Sequence, residues 1–335
     1  MALNPKAIGV IAIFSIGAVA SLCAAQSPET PMLHRPLAAT WPAGPRNPDL
    51  PSPQFRSATD LVALDVCVKN RADQFVPAMT VQDFLVLEDN VPQTLSFFIS
   101  EQRTPLAVVL LVDRSASMAG EKLDRAKDAA AAFVRTLRPG DLVEVVVFNE
   151  RVSRLFPLGA DHAAAEASIN DDLAPRGMTA LYEAVLVGLR DLERARSKDY
   201  QTAIVVLTDG EDTSSLPTFD DVLEDSRRSG VMVYAISLRT NERGRYLPPV
   251  HELAQLAFDT GGQAVGVRTL MDLVQIYEQI GEELRHLYRL GYVSSSKIRD
   301  GRWRSISVRA AKKDLVVRTQ SGYYAPRRTA IKGAP

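Results

Sequence analysis

From about residue 105 onward, short apolar runs alternate with longer stretches whose apolar positions recur every three or four residues. Residues 106–112, 142–148, 203–207 and 231–237 are β-branched and apolar at almost every position, the pattern of strands buried on both faces. Between them, 121–137, 181–196, 219–228 and 270–287 carry helical spacing, with Pro139-Gly140 closing the first and Gly230 the third. The alternation predicts an α/β fold over residues 105–284, a doubly wound, mostly parallel sheet with helices on both faces.

On either side the period shortens to two. Val62, Leu64, Val66 and Val68 alternate with less apolar neighbours, and Lys69-Asn70-Arg71-Ala72-Asp73 ends the run. A second strand pair is expected at 84–87 and 94–99, joined through Glu88-Asp89-Asn90-Val91-Pro92. Strand patterning returns at 287–293, 303–308 and 315–318, the last running into Tyr323. The flanks, 58–101 and 285–325, are each about 40 residues, below the size at which a chain without disulfide or metal buries enough surface alone. Together they offer about seven strands, so one split immunoglobulin-like sandwich is expected, with the α/β region as an insertion. The first flank is acidic around Asp83, Glu88 and Asp89 and the second is basic, which favours their pairing.

Residues 7–26 carry no charge, follow Lys6 and end in small residues, which reads as a signal peptide over 1–25, with an uncleaved N-terminal anchor as the alternative. Residues 26–57 form a Pro-rich linker, with prolines at 28, 31, 36, 42, 45, 48, 51 and 53, and 326–335 form a tail. An exported protein is expected, periplasmic or extracellular, with envelope or membrane association through the N-terminus or the basic C-terminal segment. Formal charges of 39 basic and 40 acidic groups argue against nucleic acid as a partner. Two cysteines, Cys23 and Cys67, exclude a disulfide scaffold and a Cys-rich zinc module.

The chemistry collects where strands end. Strand 106–112 runs into Asp113-Arg114-Ser115-Ala116-Ser117-Met118, strand 203–207 into Thr208-Asp209-Gly210, and the loop Arg176-Gly177-Met178-Thr179-Ala180 precedes a helix. In an open α/β sheet, ligands bind at the carboxyl ends of strands. Asp113, Ser115, Ser117, Thr179 and Asp209 form an all-oxygen set, suited to a hard divalent cation: Mg²⁺ first, with Mn²⁺ or Ca²⁺ as alternatives. Enzyme readings fare worse. A haloacid-dehalogenase-type phosphatase needs an acid where Ser115 stands, Gly-x-Ser-x-Gly is absent, and His251-Glu252-Leu253-Ala254-Gln255 lacks the second histidine of a zinc-protease helix.

Asp113-x-Ser115-x-Ser117, Thr179 and the Asp209 of Thr-Asp-Gly resemble the metal-ion-dependent adhesion site of the von Willebrand factor A domain family. Residues 80–94, Tyr288-Arg-Leu-Gly-Tyr292 and Ser321-Gly-Tyr-Tyr324 look like the acidobacterial exported type of that family, although Arg114 and Ala116 stand where that type has threonine and glycine. The resemblance implies that Ser115, Ser117 and Thr179 bind the metal directly, that Asp113 and Asp209 act through water, and that a partner's carboxylate completes the shell. The implied function is an exported, metal-dependent protein-binding module for adhesion or assembly, without enzyme activity. The alternative is an envelope enzyme or accessory subunit that uses this domain to recruit substrate.

Overall fold

Every residue of 106–113 is buried, so this strand can sit only in the middle of a sheet covered on both faces. In the computed structural model the described residues are 61–100, 104–170, 174–196, 200–240 and 244–327; the signal segment and Pro-rich linker expected over 1–57 lie outside them. The chain divides into two units, Met1–Gln54 and Phe55–Pro335, and all described elements belong to the second.

Four strands come first: β1 (Leu61–Asn70), β2 (Phe84–Glu88), β3 (Val91–Gln93) and β4 (Leu95–Ile99). The α/β region follows as β5 (Leu106–Asp113), α1 (Glu121–Thr136), β6 (Leu142–Phe148), β7 (Val152–Gly159), α2 (His162–Ile169), α3 (Leu181–Arg196) and β8 (Gln201–Thr208). It continues with α4 (Phe219–Ser229), β9 (Met232–Ser237), α5 (His251–Thr260), β10 (Ala264–Gly266) and α6 (Leu273–Arg285). Four strands close the fold: β11 (Tyr288–Val293), β12 (Trp303–Ala310), β13 (Leu315–Arg318) and β14 (Gly322–Tyr324).

The central sheet has the order β10-β9-β8-β5-β6-β7, parallel except for β7, which runs antiparallel to β6. Alternate residues of β5 feed separate apolar layers. Leu106, Val108, Leu110 and Val112 pack with α1, α2 and α6, whereas Ala107, Val109 and Leu111 pack with α3, α4 and α5. Helix α3 lies close to the sheet at Gly188, where a β-carbon would come within 3.1 Å of Ile204 and 3.3 Å of Val109. The expected helix at 270–287 is shorter: a 3₁₀ turn at Leu270–Asp272 precedes α6, which ends at Arg285.

The two flanks share both remaining sheets, β13-β1-β11-β4 and β14-β12-β2-β3. Strand β1 pairs antiparallel with β11 (Leu64↔Leu290, Val66↔Tyr288), and β2 pairs antiparallel with β12 (Val86↔Val308). Leu64, Val66, Val86, Tyr288, Leu290 and Val308 fill one core between them. Here the expected pairing of 84–87 with 94–99 is corrected. Asp89 and Asn90 both take positive φ (48° and 66°), which makes a tight hairpin that returns at once as β3, and β4 crosses to the other sheet beside β11. The expected run from 315 into Tyr323 likewise splits, with β13 and β14 in different sheets.

Buried ionic groups bind the sandwich to the α/β region. Glu283 of α6, 2% exposed, accepts a hydrogen bond from Tyr234 of β9 (2.7 Å) and pairs with Lys69 of β1 (3.3 Å) and Arg318 of β13. Asp259 of α5 accepts from Arg227 (2.6 Å) and from the Ser321 hydroxyl (2.6 Å). Cys67 of β1 packs into the α/β core beside this cluster, and burial pushes its thiol up to about 12.

Candidate metal centre

Strands β5 and β8 are parallel neighbours in register, Val112 opposite Leu207, so Asp113 and Asp209 emerge on the same rim. Asp113 is fully buried. Its Oδ1 accepts from the Ser115 backbone N–H (2.7 Å), which turns the chain out of β5, and its Oδ2 accepts from the Thr208 hydroxyl (2.6 Å), which ties the loop to β8. The Ser115 and Ser117 hydroxyls lie 3.1 Å apart, and Ser117 donates to Asp209 Oδ1 at 2.6 Å. Met118, 0% exposed, plugs the short 3₁₀ turn that carries Ser117. On the first turn of α1, Lys122 pairs with Asp209 Oδ2 and reaches the Ser117 carbonyl at 3.4 Å.

The third loop is held to the first by its backbone. Ala116 N–H donates to the Gly177 carbonyl (3.1 Å) and Arg176 N–H to the Arg114 carbonyl (3.0 Å). Buried Asn149, just after β6, donates from Nδ2 to the Arg176 carbonyl (3.1 Å), and its own carbonyl accepts from Ala180 N–H (2.7 Å). Thr179, which is buried, sits between Thr213, whose Oγ1 accepts its N–H (2.9 Å), and Gly210, where a β-carbon would lie 3.7 Å from Thr179 Oγ1. Asp113, Ser115, Ser117 and Asp209 are thus joined through hydrogen bonds, while the Thr179 hydroxyl lies beside Gly210, the residue after Asp209, without bonding to the four among the described residues. Sequence reasoning missed Thr208, Lys122 and Asn149. Thr208 alone carried a signal, as the hydroxyl residue beside Asp209.

The electrostatics fit a dication. Burial pushes the Asp113 carboxyl above the usual aspartate value against the opposing hydrogen bonds from Thr208 and Ser115, and the charge of Asp209 adds to the rise. Of these two buried carboxylates, Lys122 pairs with Asp209 alone. A second positive charge on the Asp113 side would offset the desolvation of its carboxylate. Among the described residues no three His, Cys, Asp or Glu side chains cluster as metal ligands, so hydroxyls would supply the rest of a shell, as a hard cation accepts.

Three of the four histidines lie among the described residues. His162 Nε2 lies 2.9 Å from the Asp141 carbonyl, His286 stacks on Phe75 (4.9 Å between centroids), and His251 opens α5 at the surface.

Among curated relatives, inter-alpha-trypsin inhibitor heavy chain H3 of Bos taurus is 29% identical over 116 residues, 32% of this chain and 13% of that protein. Calcium-activated chloride channel regulator 1 of Bos taurus is 28% identical over 174 residues, 50% of this chain and 18% of that protein. The chain therefore spans less than a fifth of these relatives' length. A solved structure described as von Willebrand factor type A from Catenulispora acidiphila is 15% identical with a TM-score of 0.48, covering 82% of this chain and 76% of that one. Among the described residues no helix is long and apolar enough to cross a membrane. The von Willebrand factor type A domain family matches residues 107–279, from β5 into α6 and more than half of the sequence, and by that match the chain belongs to this family.

Proposed function

We propose that Asp113, Ser115, Ser117, Thr179 and Asp209 hold one divalent cation, Mg²⁺ first and Mn²⁺ or Ca²⁺ as alternatives, and that the protein uses it to bind a carboxylate of a partner protein. The observation that carries this reading is the linked donor set, in which Ser115, Ser117 and Asp209 follow one another at 3.1 and 2.6 Å while Asp113 is locked to Thr208. A bound dication supplies the positive charge that draws in an anionic ligand.

The chain's own residues set how that charge is presented. Ser115, Ser117 and Thr179 offer neutral hydroxyls to the cation, and Asp113 and Asp209 orient waters, so the cation's charge is only partly cancelled and an outside carboxylate is favoured. Met178, 54% exposed beside Thr179, and Leu216, 95% exposed in the loop after Asp209, give the partner apolar surface around its acidic group. Export is supported by the uncharged stretch at 7–26, and the proposed setting is the cell envelope or outside.

Calorimetric titration with Mg²⁺ tests the centre. Wild type is expected to bind one ion per chain, and Asp113→Asn and Asp209→Asn to lose it while keeping the wild-type circular dichroism. Thr179→Ala is expected to lose partner capture from envelope extracts, as is wild type in chelator. Equal Mg²⁺ affinity in wild type and both aspartate variants would overturn the reading.

A further inference from the structure

Away from the metal rim, where α3 and α4 end against the sandwich, lies a cavity of about 350 Å³. Among the described residues six cations line it: Arg196 at the end of α3, Arg227 and Arg228 at the end of α4, Lys297 and Arg299 in the β11–β12 loop, and Arg304 of β12. Among the described residues no carboxylate does. The acids that pair with the arginines stand outside the lining: Asp259 on Arg227 (2.6 Å), Glu224 on Arg228 (2.6 Å) and Asp300 on Arg304 (3.1 Å). Arg196 is held by the Ser229 carbonyl, a neutral acceptor, and Lys297 has no ionic partner among the described residues.

Two of the guanidinium groups are fixed by stacking as well as by ion pairs. Arg227 lies over the Trp303 ring at 4.8 Å and Arg228 over the Tyr324 ring at 3.9 Å, so little side-chain freedom remains to be lost on binding. The Nε and Nη2 groups of each are taken by its acid, Asp259 or Glu224, which leaves Nη1 to meet a ligand, and several such cations around one volume suit a phosphate group better than a single carboxylate. The remaining wall includes Leu61, Ile298 and Pro326, apolar surface that a bare ion would not use, and the volume falls in the range of small-molecule sites.

We propose that this cavity binds the phosphoryl group of a phosphate-bearing organic molecule, with the lining guanidinium groups and Lys297 on the phosphate and the apolar wall on its organic part. The site lies apart from the metal centre, and its lining comes from both the α/β region and the sandwich.

The full chain in magnesium-free buffer is titrated with glycerol 3-phosphate, and separately sedimented with vesicles of phosphatidylglycerol in phosphatidylcholine against phosphatidylcholine alone. Saturable, salt-sensitive binding is expected in at least one arm. Tight soluble binding identifies a free organic phosphate as the source, and binding confined to anionic vesicles identifies a lipid headgroup. Arg228→Gln with Lys297→Gln is expected to weaken the binding about tenfold, as loss of two charge-assisted contacts would. Lys297→Gln alone weakens it less and guards against misfolding of the double variant, while Arg125→Gln, an arginine on the exposed face of α1, leaves it unchanged. Absence of binding in both arms, or an equal loss in Arg125→Gln, would overturn the proposal.

Discussion

Lys122 places an ammonium group on Asp209, the carboxylate that the Ser117 hydroxyl also engages. An ion held by Ser117 and Asp209 would share that carboxylate with the ammonium, so Lys122 competes with it. We expect Lys122→Met to tighten Mg²⁺ binding about tenfold, about 1.4 kcal/mol, in the same titration that tests the centre; unchanged or weaker binding would count against competition. Cys67 gives a second check at this scale. Buried and with its thiol raised to about 12, it should resist a thiol reagent in the native state and react on unfolding, as absorbance with a chromogenic disulfide would show. Four of the five proposed donors were legible in the sequence because they stand at or after strand ends, three of them at alternate positions of one loop, and the fifth, Thr179, stands in a loop just before a helix. Thr208, Lys122 and Asn149 were not legible as parts of the site, because only the folded arrangement brings a threonine of β8, a lysine of α1 and an asparagine after β6 against that loop.

At the scale of elements, β6, next to the edge strand of the central sheet, carries a buried acid. Glu144 of β6 meets Arg154 of β7 at 3.0 Å, but Arg154 gives Asp191 of α3 two hydrogen bonds at 2.8 and 2.7 Å, and Glu144 Oε2 is buried without a partner. Burial, then the neighbouring Asp191, push the Glu144 carboxyl up to about 8 against the pull of Arg154. The folded protein therefore binds more protons than the unfolded chain between the ordinary glutamate range and about 8, and this group's contribution to stability falls as pH rises through that window. Glu144→Gln should flatten the decline, by at most about 1.4 kcal/mol per pH unit, in urea unfolding followed across that window. A pH slope matching wild type would refute the assignment. The fully buried strands and the long amphipathic helices were readable from hydrophobic spacing alone. Strand β7 was not, because it is a half-exposed edge containing Arg154 and Pro157, and α2, built largely of alanine, shows little contrast between its faces. Helix α5 appeared in the sequence only as a failed zinc motif, and the crossing of β4 depends on how tightly the Asp89-Asn90 turn closes.

Across the whole molecule, Glu283 joins β1, β9 and β13 through one buried carboxylate. Removing it leaves Lys69 and Arg318 without their buried partner, so Glu283→Ala is expected to cost about 3–5 kcal/mol. Fluorescence and circular dichroism should still report a single transition in urea, whereas two separate transitions would mean that sandwich and α/β region unfold independently. A fragment ending at residue 101 should remain unfolded, as amide exchange would show, since β1 and β2 take β11, β13 and β12 from the other flank. The α/β region itself leaves the sandwich after β4 and rejoins it at β11, and these strands are neighbours, with Ile99 opposite Arg289. That arrangement sets a path for mechanical load. If a partner held at the metal rim is pulled while the chain before Leu61 is anchored, tension enters β1 at Leu61 and β11 at Tyr288, opposite ends of an antiparallel ladder running from Leu61↔Val293 to Val66↔Tyr288. The ladder is then loaded in shear, with its cross-strand hydrogen bonds bearing the force together instead of opening one at a time.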